Sequence, residues 1–177
     1  MAQHGKNIVN GGNSGSVVQT HSVRGDLHVG DVHHHLHAGP DRSAAGMRAL
    51  GRKDYDSAVA DLGEAVRGPD VSPELYFSLA LALLRGNRPH RVRSNRDLAA
   101  VRAHLQRVED LPHARLLLLL TDEDRARGWE GGGDVPDRVH RLAITADPAR
   151  VREILDHVRA PENRVWRILA ANQGLAD

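Results

Sequence analysis

DRSAAGMRALGRKDYDSAVADLGEAVRGP, residues 41–69, is the stretch whose spacing decides the fold. Ala45, Ala49 and Leu50 recur at helical intervals up to Gly51-Arg52-Lys53, where the pattern stops. Asp54 is placed to cap a second helix, in which Ala58, Val59, Leu62, Ala65 and Val66 repeat every three or four residues until Gly68-Pro69 ends it. Two short amphipathic helices joined by a tight turn form a hairpin, and neither buries its apolar stripe alone. More helices must therefore pack behind it.

The chain downstream supplies them. Ser72-Pro73 opens a third helix through Leu75, Leu79, Ala82 and Leu83 to Gly86-Asn87, because proline at the first helical position gives up no needed hydrogen bond. A basic connector, Arg88 to Arg96, leads into a fourth helix with Leu98, Val101, Leu105 and Val108. Pro112 opens a fifth, which carries the run Leu116 to Leu120 and ends before Gly131-Gly132-Gly133. Pro136, Asp147-Pro148 and Pro161 open the sixth, seventh and eighth. The expectation is a mainly α chain of about eight helices in stacked hairpins, over residues 41–177, either as a solenoid or as an irregular bundle.

The first hairpin resembles a tetratricopeptide repeat. Gly46 stands at the small position of the first helix, Tyr55 and Ala58 at the start of the second, Leu62 and Ala65 along it, and Pro69 near the repeat's end. Tyr76, Leu79 and Ala80 fit the first helix of a second repeat, with Arg88 to Arg96 as an insertion; beyond residue 112 the pattern cannot be placed. The resemblance implies a helical protein-binding scaffold.

Residues 1–40 differ in kind. They hold only four charged side chains, Lys6, Arg24, Asp26 and Asp31, yet seven of the twelve histidines, and Ala38-Gly39-Pro40 marks their boundary. Gly15-Ser16-Val17, Gly25-Asp26-Leu27 and Gly30-Asp31-Val32 each set an aliphatic residue two positions after a glycine, as short strands joined at glycines would. So little apolar surface cannot hold an independent sheet in one molecule. Such strands need a partner or further copies. A disordered tail and a hairpin docked on the helices are the alternatives.

Asn13, Gly15, Val17, Val18 and Gln19, followed by Val23, Gly25 and Leu27, resemble the bacterial amyloid signalling motifs related to the RIP homotypic interaction motif; the centre here is Gln19-Thr20-His21. The resemblance implies homotypic self-assembly, templated by a receptor ATPase that carries a matching N-terminal motif, in immune or death signalling. The physics is consistent with this, since in-register stacking ladders the amides of Asn13 and Gln19 and brings the valines into dry contact.

Composition narrows the remaining classes. Lys and Arg number 24 against 23 acids, a net charge of +1, which gives no general pull toward nucleic acid or anionic membrane. Arg88, Arg91, Arg93 and Arg96 form a local basic patch, but no aromatic side chain is interleaved to stack on bases. The longest apolar run, Leu116 to Leu120, is far below the roughly 20 residues of a membrane span, and the first residues lack the core of a signal peptide. The absence of cysteine rules out disulfides, and the expected compartment is the cytoplasm.

No nucleophile elbow, zinc-protease motif, phosphate loop or dinucleotide fingerprint occurs, so the expectation is a non-enzyme without cofactor. Asp122, Glu123 and Asp124 read as a solvated helix end. His33, His35 and His37 would share one strand face about 7 Å apart, awkward for a single ion, so they read as polar face residues with a metal site as the alternative. The function expected is a signalling adaptor. A peptide-binding scaffold with a disordered tail and a helical effector of unrecognised activity are the alternatives.

Overall fold

Proline and capping side chains set where the helices begin. The computed structural model describes residues 41–69, 71–92, 94–125, 134–158 and 163–173. Helix α1, Arg42–Gly51, starts where the Asp41 carboxylate accepts the Ala44 N–H at 3.1 Å. Helix α2, Tyr55–Ala65, starts where Asp54 accepts the Ser57 N–H at 3.3 Å. Helix α3 is Pro73–Leu84, and a 3-10 turn, Pro89–Arg91, follows it. Ser94 accepts the Asp97 N–H at 3.1 Å to open α4, Asn95–Gln106. Helices α5, Pro112–Arg125, and α6, Val135–Thr145, come next. Asp147 caps α7, Pro148–His157, through the Ala149 N–H at 2.8 Å. Each such cap contributes about 1 kcal/mol.

Helix α8 spans Arg164–Asn172, capped by Asn163, whose Oδ1 accepts the Val165 N–H at 2.9 Å. Sequence places its start at Pro161, which lies outside the described residues. The asparagine amide supplies the observed start signal. No strand occurs among the described residues, so the helical domain is all-α, with the eight helices expected.

Packing follows chain order at first: α1 on α2, α2 on α3, α3 on α4, α4 on α5 and α5 on α6. The pattern then changes. Helix α8 packs chiefly on α6, and α7 lies against α5 and α6, so the last two helices do not form the fourth hairpin that the sequence suggests. Helix α3 explains why the array closes. Every residue from Phe77 to Leu84 is buried, and a helix without an exposed face must be enclosed by others. In an open solenoid each hairpin touches only its neighbours. Here Lys53 Nζ meets Asp156 Oδ1 at 2.6 Å and its carbonyl at 3.2 Å, which joins the α1–α2 turn to the end of α7. Of the two arrangements left open by the sequence, these contacts are those of a closed bundle.

Two glycines permit close approach. A Cβ on Gly46 would lie 2.6 Å from Leu62 Cγ and 2.9 Å from the Leu62 backbone nitrogen, so α1 and α2 meet backbone to side chain at this point. Gly86, at φ +71°, turns the chain out of α3 directly against the Tyr55 ring. Gly46, Ala58 and Leu62 are buried, whereas Tyr55 and Ala65 are half-buried.

Two alanine substitutions distinguish a packing glycine from a spectator. Gly46→Ala should cost about 1–3 kcal/mol through overpacking against Leu62. Gly63→Ala, on α2 with open space around it, should be neutral or stabilise by up to about 1 kcal/mol. Urea unfolding followed by circular dichroism reads both, and equal effects would contradict the assigned contact.

Candidate functional site

The charged side chains of the bundle fall into those that clasp helices together and those that face outward. Asp124 is the strongest clasp. It stands at the C-terminal end of α5, an unfavourable place for an anion because of the helix dipole, and is only 5% exposed. Arg88 offsets this by reaching both carboxylate oxygens from Nε, at 3.0 and 3.1 Å, with a further contact from Nη2. The His90 N–H donates to Oδ2 at 2.8 Å, and Asn163 Nδ2 donates to Oδ1 at 3.0 Å. One carboxylate thus fastens the 3-10 turn and the cap of α8 to α5.

This corrects the reading of Asp122, Glu123 and Asp124 as a uniformly solvated end. Asp124 continues the spacing of Leu116, Leu117 and Leu120 and so points inward. It corrects the basic connector too, because Arg88 is spent inside the protein while Arg96 lies exposed on α4. Arg93 lies outside the described residues.

A second clasp joins the first turns of α3, α5 and α7. Glu74 Oε2 lies 3.4 Å from His113 Nε2 and 3.2 Å from Arg150 Nη2, and Arg150 Nη1 meets Glu153 at 2.7 Å. The His113 ring stands edge-on to Phe77, with centroids 4.6 Å apart. Burial pushes the His113 pKa below its usual value, with Glu74 pulling partly the other way. The third clasp is Tyr55, whose hydroxyl lies 3.2 Å from His157 Nδ1; burial lowers the His157 pKa as well, against the opposing pull of Asp156. All three groups lie where helices meet, although Glu74 Oε2 and His113 Nε2 approach each other without a hydrogen bond.

One outward-facing feature among the described residues is a cleft of about 470 Å³ between α5 and α6. Arg115, Leu118, Leu119 and Asp122 line it from α5; Arg138, Arg141, Leu142 and Thr145 line it from α6. Each set has the spacing of one helical stripe, and the size suits a small ligand or the anchoring side chains of a partner. The floor is leucine and the rim is guanidinium. Asp122 is paired with Arg102 at 2.8 Å, Arg115 Nε donates to the Glu109 carbonyl at 3.0 Å, and Thr145 bonds back to its own helix. Arg138 and Arg141 are exposed, and among the described residues neither has an ion-pair partner. Ile144, beside them on α6, is 67% exposed, the one large apolar side chain so exposed among the described residues. Sequence reading places Leu116 to Leu120 in the fifth helix. It misses the arginines, which share the outer edges of α5 and α6 at three- and four-residue spacing.

Asn13, Gly15, Val17, Val18, Gln19, Val23, Gly25 and Leu27, together with His33, His35 and His37, lie outside the described residues. Gly131 to Gly133 also do. Among the described residues no three histidine or acidic side chains are grouped to hold a metal, and no helix is long and apolar enough to cross a membrane. Comparison with protein-family models, curated proteins and solved structures finds no match to the chain.

The clasps make two predictions. Asp124→Ala should cost about 3–5 kcal/mol because it leaves the largely enclosed Arg88 without its anion, whereas Asp122→Ala at an exposed pair should cost less than about 1 kcal/mol. Urea midpoints at neutral pH give both. For the histidines, a folded pKa below the unfolded value near 6.5 means that folding favours neutral imidazole. Their contribution is complete above about pH 6.5 and falls as pH drops from there toward the folded pKa. Thermal midpoints at pH 7.5 and pH 5 should converge in a His113→Gln/His157→Gln variant relative to wild type; an unchanged gap would show that other groups govern it.

Proposed function

We propose that this protein is a non-enzymatic adaptor in which residues 13–37 assemble by cross-β stacking while the helical bundle recruits a protein partner. The observation that carries the reading is the division of the chain's chemistry. Residues 1–40 are nearly uncharged, with glycines spaced between aliphatic and amide residues, whereas the buried ionisable groups among the described residues of 41–177 clasp helices. Low charge lets identical strands stack, and Asn13 with Gln19 would form amide ladders. The likeness to amyloid signalling motifs suggests the templating partner, a receptor ATPase with a matching N-terminal stretch.

The bundle's role follows from its surface. Its first hairpin is similar to a tetratricopeptide repeat at Gly46, Tyr55, Ala58, Leu62 and Ala65, and this likeness supports protein binding. Enclosure of α3 leaves the α5–α6 cleft as the recognition surface that the packing favours. The second reading, a peptide-binding scaffold whose first 40 residues are only a tail, is favoured by the same cleft.

Fibre formation by the full-length chain separates them. At neutral pH the chain should give fibres with the strand and sheet spacings of about 4.7 and 10 Å. Val18→Pro with Gln19→Pro should abolish them, because proline removes ladder donors. Assembly should also weaken below about pH 6, where stacked imidazoles become charged and repel. A chain that stays monomeric for days at neutral pH, or a proline variant that forms the same fibres, would contradict the adaptor reading.

A further inference from the structure

We infer that the α5–α6 cleft receives an amphipathic helix whose apolar anchors are flanked by Asp and Glu. The inference rests on the reading of the bundle as a partner-binding module and names the partner's chemistry. Arg115, Leu118, Leu119 and Asp122 fall at positions i, i+3, i+4 and i+7 of α5. Arg138, Arg141, Leu142 and Thr145 repeat that spacing on α6. Two packed stripes of this kind make a groove about two turns, roughly 10 Å, long. A helix presenting anchors at i, i+3 or i+4 and i+7 is its geometric complement.

Charge selects among such helices. The leucine floor takes aliphatic or aromatic anchors, and Arg138 and Arg141 stand on the rim without an ion-pair partner among the described residues. Arg115 adds a third guanidinium, anchored through Nε to the Glu109 carbonyl at 3.0 Å. The single acid among the described lining residues, Asp122, is neutralised by Arg102. A basic helix would meet three like charges, and an uncharged one would leave the guanidiniums unused. A free phosphate would satisfy the rim but not the floor. Among the described residues no aromatic side chain lines the cleft to stack on a nucleobase, which disfavours single-stranded nucleic acid.

Fluorescence anisotropy with the full-length protein tests the inference. The probe is a fluorescein-labelled helical peptide with leucine at i, i+3 and i+7 and glutamate at the flanking positions; the controls are its lysine counterpart and a scrambled sequence. Protein carrying Val18→Pro and Gln19→Pro, used alongside wild type, separates cleft binding from assembly. The glutamate peptide should bind both forms, more weakly as salt rises. Arg138→Glu with Arg141→Glu, both at exposed positions, should leave the circular dichroism spectrum intact, weaken the glutamate peptide about tenfold or more, and improve the lysine peptide. Equal binding by the charge-reversed variant, equal binding of the scrambled peptide, or full displacement by inorganic phosphate or anionic lipid vesicles would overturn it. So would no binding at millimolar peptide. Failure here with fibres still forming overturns the helix partner alone, whereas peptide binding without fibres overturns the assembly reading alone.

Discussion

Helix α3 must be surrounded, and the rest of the bundle is arranged to do it. Phe77 to Leu84 presents eight consecutive buried residues, which no two-helix hairpin can cover. Covering it on all sides removes apolar surface from water at about 25 cal/mol per Å². The cost is that the chain cannot remain an open row of hairpins. Helix α7 approaches the α1–α2 turn, and α8 packs on α6 in place of a regular fourth pair.

Polar clasps then choose one closed arrangement from the several that burial alone would allow. Asp124, Glu74 with His113 and Arg150, and Tyr55 with His157 each join segments far apart in sequence. Buried pairs of this kind are weak sources of net stability yet costly to break. Their value here is register. Gly46 and Gly86 complete it by letting Leu62 and Tyr55 approach backbone that any Cβ would hold off.

Helix number and most helix starts were legible because capping acids and prolines act within a few residues. Asp54, Pro73, Pro112 and Asp147-Pro148 each mark an observed start. Closure was not legible, since Lys53 and Asp156 show nothing in their neighbourhoods that names the other. Asp124 lay between these cases. Its place four residues after Leu120 put it on the buried stripe, but its acidic neighbours suggested solvent, and only the distant Arg88, His90 and Asn163 account for its burial. The cleft was hidden because Leu118 and Leu142 look like core residues until the neighbouring arginines are seen to share their edge.

On this account the chain divides its labour: a stretch poor in charge assembles, and a clasped bundle keeps its own fold while displaying the α5–α6 cleft. Hydrogen exchange of the full-length protein before and after assembly tests that division most directly. New protection should appear at residues 13–37 alone, with the amides of α1 to α8 keeping their solution rates. Assembly that leaves residues 13–37 unprotected, or that alters protection across the bundle core at α3, would contradict it.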